Sequence, residues 1–182
     1  MTRLSDRDPA SARAALAATA RRRFLLHSAA LIGAALLAPR RAGAEELLTR
    51  IDDLRELAAR VRRERVPIAV LFSLPGCPYC LEVRRSYLAP RVREGAPVIV
   101  REVDITSSRS LIDLDGRRIT ETELAARFNV RVTPVVLLLD GDLRPLAEPL
   151  VGIVSTGFYE ANLQSAIDAA RGRLTGGEPR GK

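Results

Sequence analysis

Cys77-Pro78-Tyr79-Cys80 constrains this chain more than any other stretch, because its cysteines are the only two among 182 residues. It follows Ile68-Ala69-Val70-Leu71-Phe72, an unbroken apolar run that reads as a buried strand, and it precedes a segment with helical spacing. A CxxC at a strand-to-helix junction is the placement that thiol–disulfide chemistry needs.

The N-terminus is set apart from the fold. Arg21-Arg22-Arg23 leads into an apolar run from Phe24 to Ala38, and Ala42-Gly43-Ala44 then offers a small-x-small cleavage site. Residues 1–44 are therefore expected to be a secretory signal, cleaved after Ala44. The Arg21-Arg22-Arg23-Phe24-Leu25 stretch, the long polar n-region and Arg40-Arg41 point to the twin-arginine type. The apolar run is marginal for a bilayer core that takes roughly 20 residues, which leaves an uncleaved membrane anchor as the alternative; with cleavage the mature form is not expected to be membrane-embedded. Periplasmic localisation follows.

Removing the signal changes the charge balance. The whole chain has 29 Lys+Arg against 22 Asp+Glu, net +7, but residues 45–182 hold 21 basic and 20 acidic groups. The high isoelectric point belongs to the signal, so no nucleic-acid partner is expected. His27, the only histidine, lies inside the signal. A mature chain without histidine excludes a Ser-His-Asp arrangement and most zinc sites.

Residues 45–174 read as one α/β domain, followed by a polar, Gly- and Pro-containing tail at 175–182 that is expected to be disordered. Leu47, Leu48, Ile51, Leu54, Leu57, Ala58 and Val61 give one apolar helix face between Glu45 and Val66, stopped by Pro67. A second helix runs from Cys77 to about Leu88 and stops at Pro90, and Val98–Val103 is a second strand. The pattern loosens over residues 106–118, an inserted loop or small hairpin around Asp115-Gly116. Thr120 and Glu123 form a capping box for a helix through Phe128. Val135–Leu139, apolar on both faces, is a central strand. Asp140-Gly141 then turns into an edge strand around Pro145–Val151, whose two prolines suit an edge. A last helix runs from about Gly157 to Arg171. The result is a mixed four-stranded sheet flanked by helices.

The local sequence at the cysteines suits a reactive thiolate. With Cys77 as N-cap, Pro78 takes the first helical position, where its missing N–H costs nothing. The Cys77 sulfur then faces the free N–H groups of Tyr79 and Cys80, at the positive end of the helix. Such placements lower a thiol pKa to roughly 3.5–7.5. Arg84 and Arg85 are the nearby residues that could add positive potential. Cys80 lies deeper, so Cys77 is expected to attack and Cys80 to resolve the mixed disulfide.

Other uses of the pair are weaker. A disulfide across so small a loop is a poor staple. Zinc lacks ligands, and haem attachment needs histidine where Leu81 stands. No resident metal or other cofactor is expected beyond the redox disulfide. Cu(I) carriage by the same two sulfurs stays open as an alternative of a different class. Asp113 and Asp115 could suggest a cation site, but a plain turn accounts for them. Glu82 reads as a solvated helix residue or as a proton relay to Cys80. Gly152 reads either as a point of close backbone approach or as part of a substrate groove.

The element order, the CxxC opening a helix and Val132-Thr133-Pro134 opening the third strand resemble the thioredoxin superfamily, over nearly all of residues 66–172. The secretory signal and the insertion are most similar to periplasmic thioredoxin-like proteins, including those associated with sulfur oxidation or cytochrome maturation. The Pro-Tyr pair is similar to glutaredoxins. The resemblance implies a thioredoxin fold with an extra N-terminal helix and the insertion, and an exported thiol–disulfide oxidoreductase using Cys77 and Cys80. It implies that Pro134 is a cis-proline beside the cysteines. The backbone of Val132 and Thr133 would pair with substrate, and Tyr79 and Gly152 would complete the contact, with Pro78 and Gly76 supporting the motif. The implied partners are periplasmic protein thiols and disulfides and a membrane electron donor, with the chain a monomer. The reducing direction is favoured; a disulfide oxidase or isomerase is the alternative. Two positions depart from the family: Leu71 stands where a buried acid is common, six residues before Cys77, and Gly76 where tryptophan is common.

Overall fold

The computed structural model describes residues 48–153 and 156–176. The signal, including His27, lies outside these residues, as do Leu47 and most of the 175–182 tail. The elements are α1 (Leu54–Glu64), β1 (Ile68–Ser73), α2 (Pro78–Glu82), a π-helical segment (Val83–Leu88) and α3 (Ala89–Arg93). They continue as β2 (Ile99–Asp104), the hairpin strands β3 (Ser110–Ile112) and β4 (Arg118–Thr120), and α4 (Glu121–Arg127). The chain closes with β5 (Val135–Leu139), β6 (Leu150–Val151) and α5 (Thr156–Thr175).

The sheet runs β2-β1-β5-β6. β1 pairs parallel with β2 and antiparallel with β5, and β5 pairs antiparallel with β6. Every residue of β1 and β5 is buried, as continuous apolar strands covered on both faces must be. Alternation along β1 builds two cores. Ala69 and Leu71 pack with Val83, Leu88, Leu163 and Ile167 beneath α2–α3 and α5. Ile68, Val70 and Phe72 pack with Leu57, Val61, Leu124 and Leu137 beneath α1 and α4. Phe72 meets Phe128 edge-on, ring centroids 5.9 Å apart, and truncating so large a buried ring to alanine costs about 3–5 kcal/mol.

Several boundaries differ from the sequence reading, each for a physical reason. The first helix begins at Leu54 instead of Glu45, because Asp53 caps it by accepting the Arg55 N–H at 2.8 Å. The preceding backbone is used elsewhere: Thr49 C=O accepts from Glu102 N–H at 3.1 Å and Asp52 C=O from Ile112 N–H at 2.8 Å. Residues 49–53 therefore serve the edges of β2 and β3 and cannot also close helical turns.

The second helix does not stop at Pro90. The chain stays helical through Arg93, with a π-helical stretch just before the proline and the Ala89 N–H bonded to Arg84 C=O. The wider turn shifts the hydrogen-bond register immediately ahead of the ring that has no N–H to give. The fourth strand shrinks to Leu150–Val151 at the edge, with one isolated bridge from Pro145 to Leu139. Pro145 and Pro149 cannot donate to a ladder, which breaks the remainder. The insertion is the hairpin β3–β4, and the last helix extends to Thr175.

Among the described residues no helix is long and apolar enough to cross a membrane.

Candidate functional site

Cys77 is the N-cap of α2, and its sulfur accepts the Cys80 N–H at 3.1 Å. Pro78 occupies the first turn, as the N-cap geometry requires. The two cysteines are joined in a disulfide, their Cα atoms 5.2 Å apart. Their environments differ: Cys77 is half-buried, whereas Cys80 is 0% exposed. An incoming group can meet only the first sulfur. Gly76, just before the pair, has φ 73°, a left-handed backbone that glycine adopts without strain.

The loop before β5 faces this sulfur. The Thr133 hydroxyl donates to Cys77 Sγ at 3.7 Å, and the Thr133–Pro134 peptide bond is cis. Pro134 C=O accepts the Gly152 N–H at 2.8 Å, which brings the end of β6 against the same loop. Gly152 itself has φ 66° and open space where a Cβ would stand. It is a turn position held by backbone bonding and is not crowded by a neighbour.

Three segments thus meet around the disulfide, and each presents a solvent-facing apolar side chain. Tyr79 is 63% exposed on α2, Val132 59% before the cis bond and Val151 52% on β6. Val151 stands beside Gly152 before the last helix as part of the pattern shared with the family, and its edge position on β6 carries the exposure.

The charged candidates fall elsewhere. Glu82 lies exposed on the helix, two residues beyond the buried Cys80. Arg85 is exposed, and Arg84 is engaged by Glu102: its Nε donates to the two carboxylate oxygens at 2.9 and 3.1 Å, and its Nη2 to one of them. The positive potential expected of Arg84 is therefore offset by a carboxylate. Glu102 is 5% exposed and also accepts from Ser73 Oγ at 2.5 Å. The sequence reading overlooked it; the available signal was a charged pair, Arg101-Glu102, inside an apolar strand.

Asp113 and Asp115 form no open cation site. Arg127 binds both Asp113 oxygens, with Nη1 at 2.9 Å from one, and Asp115 accepts from the Arg117 backbone at 2.9 Å. The Arg127 hydrogen bonds, with the Leu114 N–H, hold the Asp113 carboxyl below the usual carboxylate range. No cluster of three or more metal-ligating side chains occurs among the described residues.

The family described as a thioredoxin-like domain matches residues 54–167. A thioredoxin-fold protein from Helicobacter pylori is similar at 19% identity and TM-score 0.49, covering 74% of this chain and 83% of its own. DsbH oxidoreductase is similar at 17% identity and TM-score 0.49, covering 66% and 85%. A thioredoxin mutant from Halobacterium salinarum NRC-1 shares 18% identity at TM-score 0.45, covering 68% and 89%. No curated protein sequence matches the chain.

Proposed function

The chain belongs to the thioredoxin-like family and is a thiol–disulfide oxidoreductase, and from that premise we propose that it reduces disulfides of exported proteins through Cys77 and Cys80. The observation that carries this reading is the asymmetry of the pair. One sulfur is half-exposed at a helix start, within reach of a backbone N–H, and the other is buried one turn deeper.

In the dithiol form the Cys77 thiolate attacks a substrate disulfide. A Cys77–substrate S–S bond forms, the substrate's S–S bond breaks, and one substrate sulfur leaves as thiolate and takes a proton from solvent. Cys80 then loses its proton and attacks Cys77 Sγ. The second substrate thiolate departs, and the Cys77–Cys80 disulfide returns. Two electrons have passed from the protein to the substrate, and a dithiol donor must return them. The Cys80 N–H and the helix end stabilise charge on Cys77 more than on Cys80, which sets the order of the two steps.

Thr133 and the Val132 backbone support binding of an extended substrate segment beside the cis Pro134. Tyr79 and Gly152 border the same surface. The Arg-rich, apolar, Ala-x-Ala pattern of residues 1–44 supports an exported, periplasmic location. The proposed partners are periplasmic protein disulfides and a membrane electron donor, with the chain acting as a monomer and with no cofactor beyond the disulfide.

Replacing Cys80 with serine should trap substrates as mixed disulfides on Cys77, while Cys77→Ser should trap none. Adducts on the Cys77→Ser variant alone would reverse the two roles. Equilibration with glutathione buffers fixes the direction: a potential near about −270 mV supports a reductase, and one near about −120 mV an oxidase.

A further inference from the structure

We infer that Glu102 and Arg84 form a matched charge pair beneath the CxxC helix, and that their balance holds the redox poise of Cys77–Cys80. The inference rests on the thiol-exchange reading and deepens it. Glu102 lies on β2 opposite Leu71 of β1, and Leu71 belongs to the core under the active helix. A carboxylate in that place is costly unless it is paired and hydrogen-bonded. Here Arg84 and Ser73 satisfy it.

The two partners bracket the redox motif. Ser73 ends β1 four residues before Cys77, and Arg84 stands four residues, about one helical turn, after Cys80. Arg84 C=O also accepts the Ala89 N–H of the π-helical stretch, so the ion pair and the widened turn share one residue. Other charges lie near Glu102. Arg50 bridges it backbone to backbone, and although Glu121 binds the Arg50 guanidinium, its charge still acts on Glu102 and Asp104; Asp104 lies on the same strand and accepts from the Thr106 hydroxyl.

Arg84 and Glu102 must therefore act on the cysteines with opposite signs. A positive guanidinium stabilises a thiolate and hence the reduced form; a negative carboxylate does the reverse. In the intact pair the two fields largely cancel at the sulfurs. Removing either member leaves the other unbalanced.

The test uses the full chain with E102Q, R84M, R84K and the double variant R84M/E102Q. Thiolate absorbance against pH gives the Cys77 pKa, and glutathione equilibration gives the potential. E102Q should lower the Cys77 pKa and shift the glutathione equilibrium toward the dithiol about threefold to tenfold, some 15–30 mV more oxidising. R84M should move both quantities the opposite way, R84K should stay near the parent, and the double variant should return toward it. A merely structural pair would lower stability in urea without these opposed shifts. Equal-sign shifts, or none, overturn the inference. If E102Q fails to fold, R84M against R84K decides alone: identical values sink the proposal. A parent chain that exchanges no disulfide with glutathione would instead sink the oxidoreductase reading.

Discussion

The disulfide end of the molecule and the hairpin end are held together by different physics. Around Cys77 the contacts are mostly backbone geometry: an N-cap, a cis peptide bond and the Gly152-to-Pro134 hydrogen bond. Around the hairpin they are charge on charge. Arg50 and Arg109 converge on Glu121, which is 0% exposed, and Arg109 reaches on to Asp52. Asp113 is clasped by Arg127. A reactive sulfur needs fixed dipoles and an open face, with any ion pair near it, here Arg84–Glu102, balanced within itself. An insertion with little apolar area of its own needs latches. The two regimes touch where the segment at Arg50 pairs with Glu102.

Three substitutions at the latch end test this separation. Asp113→Asn and Thr120→Ala should leave the glutathione equilibrium unchanged, and a shift in either would break it; Glu121→Ala also removes the partner of Arg50, whose charge reaches Glu102.

Glu121→Ala should have the largest effect. It strips two arginines of a fully buried partner, whose hydrogen bond raises the Arg50 pKa. The arginines left behind are 24% and 36% exposed and free to turn to solvent, so the loss is that of their charge-assisted hydrogen bonds to Glu121, about 2–4 kcal/mol together, read as a fall in the urea midpoint.

Asp113→Asn should cost less, about 1–3 kcal/mol, the worth of hydrogen bonds to a charged group. The pH dependence has a definite sign. The folded-state pKa of Asp113 is depressed, so its stabilisation is fully present above the unfolded value of about 3.9 and disappears as pH falls through the folded value. Stability measured from neutral pH downward should fall less steeply below about pH 4 in the variant than in the parent. An identical slope would assign the acid sensitivity to other carboxylates.

Thr120→Ala sharpens the comparison at the smallest scale. The capping box is complete, with Thr120 Oγ1 accepting from the Glu123 N–H at 3.1 Å and Glu123 accepting from the Thr120 N–H at 2.6 Å. Its loss should cost about 1 kcal/mol in denaturant unfolding. A cost near that of Glu121→Ala would mean that the cap, and not the buried ion pair, anchors α4.

The legible parts of the fold were those decided within a few residues. The capping box, the Cys-Pro helix start and the two all-apolar central strands each carry their signal locally, so the sequence already pointed to them. The errors came where a distant segment competed for the same backbone. Residues 49–53 have helical apolar spacing, yet their carbonyls go to Glu102 and Ile112. Pro90 looked like a stop, but a π-helical stretch and burial of Leu88 and Ala89 carry the helix past it. Arg84 read as free positive charge, because nothing within a turn of it announces a carboxylate eighteen residues away.

By itself, then, the sequence determined an α/β chain with two sulfurs at the start of a helix and an apolar sheet beneath them. Residue type, spacing and capping act over one turn or one strand, and they are written in order along the chain. Which carboxylate lies under that helix, and which latch holds the insertion, was decided only by the tertiary structure. Those pairings depend on the register between strands and on which side chains share a buried face, and neither is a property of any single segment.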